Sequence, residues 1–164
     1  MSSVGEVANE FLSHKRIAVT GVSRTPKSHG GNVIYTRLRD RGYEVYAVNP
    51  NADKVEGDTS YHDLASIPGG VDVVIIATRP EYAAPTMREA ADLGIKRVWM
   101  HRMFGDGSCS AEAANIGWTK GITVITGGCP LMFGDVSDGG HRMLKFFGTW
   151  TGKVPRDVAI PRTP

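Results

Sequence analysis

The sequence predicts an α/β domain built on a doubly wound parallel sheet of five strands, and three observations predict it. Short β-branched runs alternate along the whole chain with segments of helical periodicity. Glycine, asparagine or proline closes nearly every run. The central run, Val73-Val74-Ile75-Ile76-Ala77, is apolar without alternation, which is the pattern of a strand buried on both faces.

Each element follows from its own residues. An N-terminal helix is expected over roughly Val4 to His14, ahead of a first strand, Ile17-Ala18-Val19-Thr20, that ends at Gly21. Asn32 to Arg41 reads as a helix on Val33, Ile34 and Leu38, with Gly42 as its stop. Tyr43 to Val48 is the second strand, closed by Asn49-Pro50-Asn51, and Asp72 to Ala77 is the third. Pro80 opens a helix to about Leu93, because proline costs least in a first turn, and Gly94 caps it. Arg97 to Met100 is the fourth strand. Ser108 or Ser110 can cap a helix reaching about Lys120, Ile122 to Thr126 is the fifth strand, and Gly139 to Phe147 is an amphipathic stretch of helical character.

Five strands joined by helical connections specify a parallel sheet, since parallel neighbours need right-handed crossovers. The expected architecture is Rossmann-like with strand order 3-2-1-4-5, and a ligand then belongs over the carboxyl ends of strands one and four. Residues 1–148 form one domain in this reading, and 149–164, with Pro155, Pro161 and Pro164, an irregular tail.

Bulk properties narrow the function classes. A chain of 164 residues, 41% hydrophobic and 22% charged, suits one globular domain. The net charge of +2 does not by itself imply nucleic acid or a membrane as partner. Cys109 and Cys129 make no disulfide framework, and no signal peptide or membrane span is legible, so a cytoplasmic setting is expected.

The informative segment runs from Gly21 to Asn32 and joins the first strand to its helix, where backbone amides and a helix N-terminus receive phosphate. Gly21 permits a tight turn, and Gly30-Gly31 permits close approach of backbone to ligand. Ser23 and Ser28 offer hydroxyls, while Arg24, Lys27 and His29 add cationic or protonatable groups. The nicotinamide-dinucleotide pattern is absent: Ser23 and Pro26 stand where GxGxxG needs glycine, and Asn49-Pro50 replaces the acidic residue that would take the ribose hydroxyl. A loop more basic than a diphosphate requires suits a ligand with a further phosphate. Coenzyme A has a diphosphate and a ribose 3′-phosphate.

The runs Ile17 to Arg24, Gly42 to Pro50, Val71 to Val74 with Arg79-Pro80, Val98-Trp99-Met100 and Cys129-Pro130 resemble the stand-alone bacterial CoA-binding domain family. That family is similar to the CoA-binding domain of the succinyl-CoA synthetase α subunit. The resemblance covers roughly Phe11 to Met132 and implies a Rossmann fold holding the nucleotide end of CoA or an acyl-CoA. It implies that Gly21, Val22, Ser23, Arg24, Lys27 and Ser28 hold phosphates, and that Asn49 and Pro50 line the adenosine site. By the same implication Thr78, Arg79 and Pro80 cover adenine or ribose, and Met100 and His101 approach the diphosphate or pantetheine arm. Two departures stand out. His101 to Gly107 replaces the family's usual glutamine and glycine turn, and Gly127-Gly128 stands where an arginine commonly precedes Cys-Pro.

Other constellations are poorer. His101, Cys129 and His141 lack metal-ligand spacing, no Gly-x-Ser-x-Gly elbow is present, and nothing completes a catalytic set. Apolar residues around Met103-Phe104 and Phe146-Phe147 suit burial against a second copy, the basis for a homodimer expectation. The leading expectation is a non-catalytic CoA-binding module. Its rivals are an NAD(P)-dependent oxidoreductase or CoA-ligase-type subunit working with a partner chain, and a protein whose contacts respond to CoA.

Overall fold

The computed structural model describes residues 2–26, 29–137, 139, 141–143, 151–152, 154–159 and 161. The chain opens with β1 (Ser2–Ser3) and α1 (Val4–Ser13), continues through β2 (Arg16–Thr20) and α2 (Gly30–Asp40), and forms β3 (Glu44–Val48). A hairpin follows, β4 (Lys54–Val55) and β5 (Asp58–Tyr61), and then β6 (Val73–Ile76). A 3-10 turn, Pro80–Tyr82, leads into α3 (Ala83–Asp92), followed by β7 (Arg97–Met100), α4 (Ala111–Thr119), β8 (Thr123–Thr126) and, near the end, β9 (Asp157–Val158).

The central sheet has seven strands in the order β4-β5-β3-β2-β6-β7-β8, parallel throughout except for the antiparallel β4–β5 pair. The α/β fold class is as expected, and the strand count is not. Asp58–Tyr61 takes the third place in the parallel set, so the run expected as strand three, β6, occupies the place expected for strand four. Counted this way the six parallel strands follow 3-2-1-4-5-6, the doubly wound order. The strand was missed because Asp58-Thr59-Ser60-Tyr61 carries no apolar run. The ligand-binding crevice of such a sheet therefore lies over β2 and β6, not over β2 and β7.

Alternation along each strand divides the core between two layers. Ile17, Val19, Val73, Ile75 and Trp99 face α1 and α2, whereas Ala18, Val74, Ile76, Val98 and Met100 face α3 and α4. Ser3 caps α1 through a reciprocal box with Glu6, and Ser110, not Ser108, caps α4 by accepting from the Ala113 amide at 3.2 Å. The tail contributes β9, paired with β1, and buries Val154 and Val158 in the α1 layer. The expected helix over Gly139 to Phe147 falls largely outside the described residues.

Candidate functional site

Register places the candidate residues on one edge. Thr20 pairs with Val48 and Ile76, and Ile76 pairs with Met100. The next residues on these strands, Gly21, Asn49, Ala77 and His101, therefore line the carboxyl edge at strand spacings of about 4.8 Å.

Gly21 turns the chain at φ +76°, where a Cβ would also overlap the Ala77 carbonyl. The loop beyond it is braced from inside the protein. Asn32, fully buried in the first turns of α2, accepts from the Ser23 amide at 2.8 Å and donates to the Ser23 carbonyl at 2.9 Å. Asn49 donates to the Val22 carbonyl at 2.9 Å, and the Ser23 hydroxyl accepts from the Thr25 amide at 3.1 Å. Asn49 thus holds the loop in place from the neighbouring strand. The Val22 side chain is buried, so Val22 offers only backbone. Arg24, Thr25 and Pro26 are exposed, and Lys27 and Ser28 lie outside the described residues.

The first turn of α2 lacks a side-chain cap. His29 occupies the N-cap position without a side-chain cap bond. Among the described residues, the amides of Gly30 and Gly31 have no acceptor. These are the donors that an anion takes at a helix N-terminus, where the helix dipole adds to the attraction. The two glycines differ in their surroundings. A Cβ on Gly30 would lie 3.0 Å from His101 Cε1, and one on Gly31 would lie 2.6 Å from the Gly21 carbonyl oxygen. Gly31 is therefore required by contact between loop and helix, not by approach to a ligand.

His101 is the side chain that stands beside this turn. Burial pushes its imidazole down to about 4, with His141 adding to the shift, so the ring is neutral at physiological pH. Its carbonyl accepts from the Ser108 amide at 2.8 Å, and the Ser108 hydroxyl donates to the Thr78 carbonyl at 2.5 Å. The hydroxyls of Thr20 and Thr78 are buried without partners among the described residues. Arg79 is exposed, pairs with Glu81 at 3.4 Å and lies over the Tyr82 ring, and Pro50 is exposed at the end of β3.

Met100 ends β7, as expected, with its side chain turned into the core. It is fully buried in the α3 layer, and its carbonyl accepts from the Gly127 amide at 3.0 Å. It lies beneath the edge, because the last residue of a strand covered on both faces still points into a layer. Cys129 is buried in the opposite layer, and burial pushes the Cys109 thiol up, away from thiolate character. Phe104 is exposed on the loop after β7, while 146 and 147 lie outside the described residues. Asn32 and Ser108 were missed as site residues. Asn32 stands in the first turn of α2, where a short amide side chain can bond nearby backbone, and that was the available signal for it.

Residues 15–135 match the family described as CoA binding domain. The chain belongs to that family. The α subunit of the ADP-forming acetate–CoA ligase II of Pyrococcus furiosus is 34% identical over 88 residues, which are 54% of this chain and 19% of that subunit. The CoA-binding-domain chain thus spans about a fifth of this ligase subunit. The uncharacterized protein YneT of Bacillus subtilis is 29% identical over 127 residues, 77% of this chain and 90% of YneT. Among solved structures, a hypothetical protein of Pyrococcus horikoshii OT3 superimposes with a TM-score of 0.71 at 27% identity, covering 78% of this chain and 87% of that one.

Proposed function

We propose that this CoA-binding-family chain binds coenzyme A, free or acylated, along the carboxyl edge of β2, β6 and β7, and acts as a binding module without catalysing a reaction. The observation that carries the reading is the uncapped first turn of α2. The Gly30 and Gly31 amides lack acceptors among the described residues, and exposed Arg24 is on the same loop. A diphosphate supplies the missing acceptors, and the cations of the loop suit the ribose 3′-phosphate. The buried, unpartnered hydroxyls of Thr20 and Thr78 lie at the same edge and can bond a ligand's polar groups.

A second reading is a CoA-ligase-type subunit that supplies the CoA site to a partner chain. It is favoured by the likeness to the acetate–CoA ligase subunit, of which the chain spans 19%.

Calorimetric titration with CoA, dephospho-CoA and NAD tests the proposal. CoA is expected to bind more tightly than dephospho-CoA, and NAD least. Equal affinity for CoA and dephospho-CoA removes the 3′-phosphate argument. Arg24→Ala is expected to weaken CoA binding by about 1.5–3 kcal/mol, the contribution of one charge-assisted contact. Acyl-CoA formation on adding a ligase partner chain would favour the second reading.

A further inference from the structure

We infer that Glu56 is a positioning residue for the loop between β2 and α2, and that it acts on the loop through the side chain of Asn32. The inference rests on the reading that this loop and the first turn of α2 receive phosphate.

Glu56 and Gly57 make the two-residue turn of the β4–β5 hairpin, between paired Val55 and Asp58, with φ of +50° and +83°. Two left-handed residues match the twist of a hairpin, and the first place favours asparagine, aspartate or glycine. Glutamate is not among the residues that this turn favours. Among the described residues it is the one non-glycine with positive φ. Its carboxylate does have a distant use, since Oε1 accepts from Asn32 Nδ2 at 2.7 Å.

That bond fixes more than the hairpin. A carboxylate only accepts, so it selects which end of the Asn32 amide faces it. With Nδ2 committed to Glu56 and to the Ser23 carbonyl, Oδ1 is left to take the Ser23 amide at 2.8 Å. An amide turned the other way would set Nδ2 against the Ser23 N–H, donor against donor. Glu56 thus reinforces the one amide orientation that also satisfies both backbone groups of Ser23.

The hairpin does not depend on this carboxylate for its own place. Asn32, Tyr35 and Arg39 share one face of α2, at i, i+3 and i+7. Tyr35 donates to Asp58 at 2.8 Å, and Arg39 reaches Asp58 at 2.6 Å and the Glu56 carbonyl at 3.0 Å. Removing the Glu56 side chain leaves those three bonds intact, so a loss of loop order can be separated from a loss of fold.

The experiment compares wild type, Glu56→Gly and Glu56→Gln in three measurements: thermal unfolding, amide hydrogen exchange at Ser23 without ligand, and CoA titration. Glycine relieves the left-handed backbone, which offsets the loss of the bond to buried Asn32, so Glu56→Gly is expected to melt within a few degrees of wild type. The same variant should exchange the Ser23 amide several-fold faster and bind CoA roughly tenfold more weakly. Glu56→Gln retains an acceptor oxygen and is expected to restore most of both. Unchanged Ser23 exchange in Glu56→Gly overturns the inference whatever CoA does. Faster exchange with wild-type CoA affinity overturns it as well, because loop shape would then not govern binding. Faster exchange in a protein whose wild type binds no CoA leaves the link from Glu56 to the loop standing and removes the proposed ligand instead.

Discussion

The carbonyl of Gly21 fills the space that a side chain on Gly31 would need: an added Cβ would stand 2.6 Å from the oxygen and 3.0 Å from the carbonyl carbon. Backbone crowds Gly21 as well, where an added Cβ would overlap the Ala77 carbonyl. Gly31→Ala must therefore push the first turn of α2 away from the loop. Overpacking of this kind costs about 1–3 kcal/mol, enough to lower the melting temperature by several degrees. Gly30→Ala meets only the tip of the His101 ring at 3.0 Å, which can rotate. Thermal unfolding should show a clear loss for the first variant and little for the second. Equal melting temperatures would refute the contact.

Asn32 joins the loop to the hairpin with bonds of 2.7–2.9 Å and is fully buried. Asn32→Ala strands the Ser23 amide and carbonyl at once. A buried polar group left without its partner costs about 1–3 kcal/mol. Asn32→Asp keeps an acceptor for the Ser23 amide but sets a second carboxylate against Glu56, so it should not rescue. Both variants are expected to melt several degrees below wild type and to lose CoA binding. An aspartate variant as stable as wild type would show that the amide donor is dispensable.

The sheet was legible where both of its faces are covered. Val73 to Ile76 reads as buried because every position is apolar, and Gly42 and Gly94 end their helices with φ of +83° and +73°. The hairpin was not legible. Its strands total six residues, two in β4 and four in β5, and its turn is Glu-Gly, whereas Asn-Gly or Asp-Gly is the familiar signal. In the site, Gly21 and the loop could be found from the strand-glycine-helix pattern. The braces, Asn32 and Asn49, could not, since their partners lie across the fold. The burial of the Met100 side chain was not legible, because an apolar residue at a strand end says nothing of which layer receives it.

The tail packs on the core although residues 15–135 are the part matched by the family. Val154 and Val158 are 2% and 3% exposed, the Val4 amide donates to the Arg156 carbonyl at 2.9 Å, and Arg102 donates to the Gly152 carbonyl at 3.2 Å. Two buried valines stabilise by about 1.5–3 kcal/mol each. Removing residues 151–164 should therefore lower the melting temperature by roughly ten degrees. A truncated protein that melts with the full chain would show the tail to be an ornament.

His101 provides a prediction with a definite sign. Its folded imidazole titrates near 4, against an ordinary value of 6.5, because burial disfavours the charged ring. Between those values the unfolded chain binds a proton that the folded protein refuses. Stability from this residue is thus complete above pH 6.5 and lost as the pH falls towards 4. The difference amounts to at most about 3 kcal/mol. His101→Gln removes the titration, so its melting temperature should fall less than that of wild type between pH 7 and pH 5. Parallel curves would mean that the ring titrates in the fold as it does in the unfolded chain, and that burial does not hold it neutral. A neutral ring predicts the opposite for the ligand: His101 should contribute no pH dependence to CoA affinity between pH 6 and pH 8, and wild type and His101→Gln should then respond alike to pH across that range.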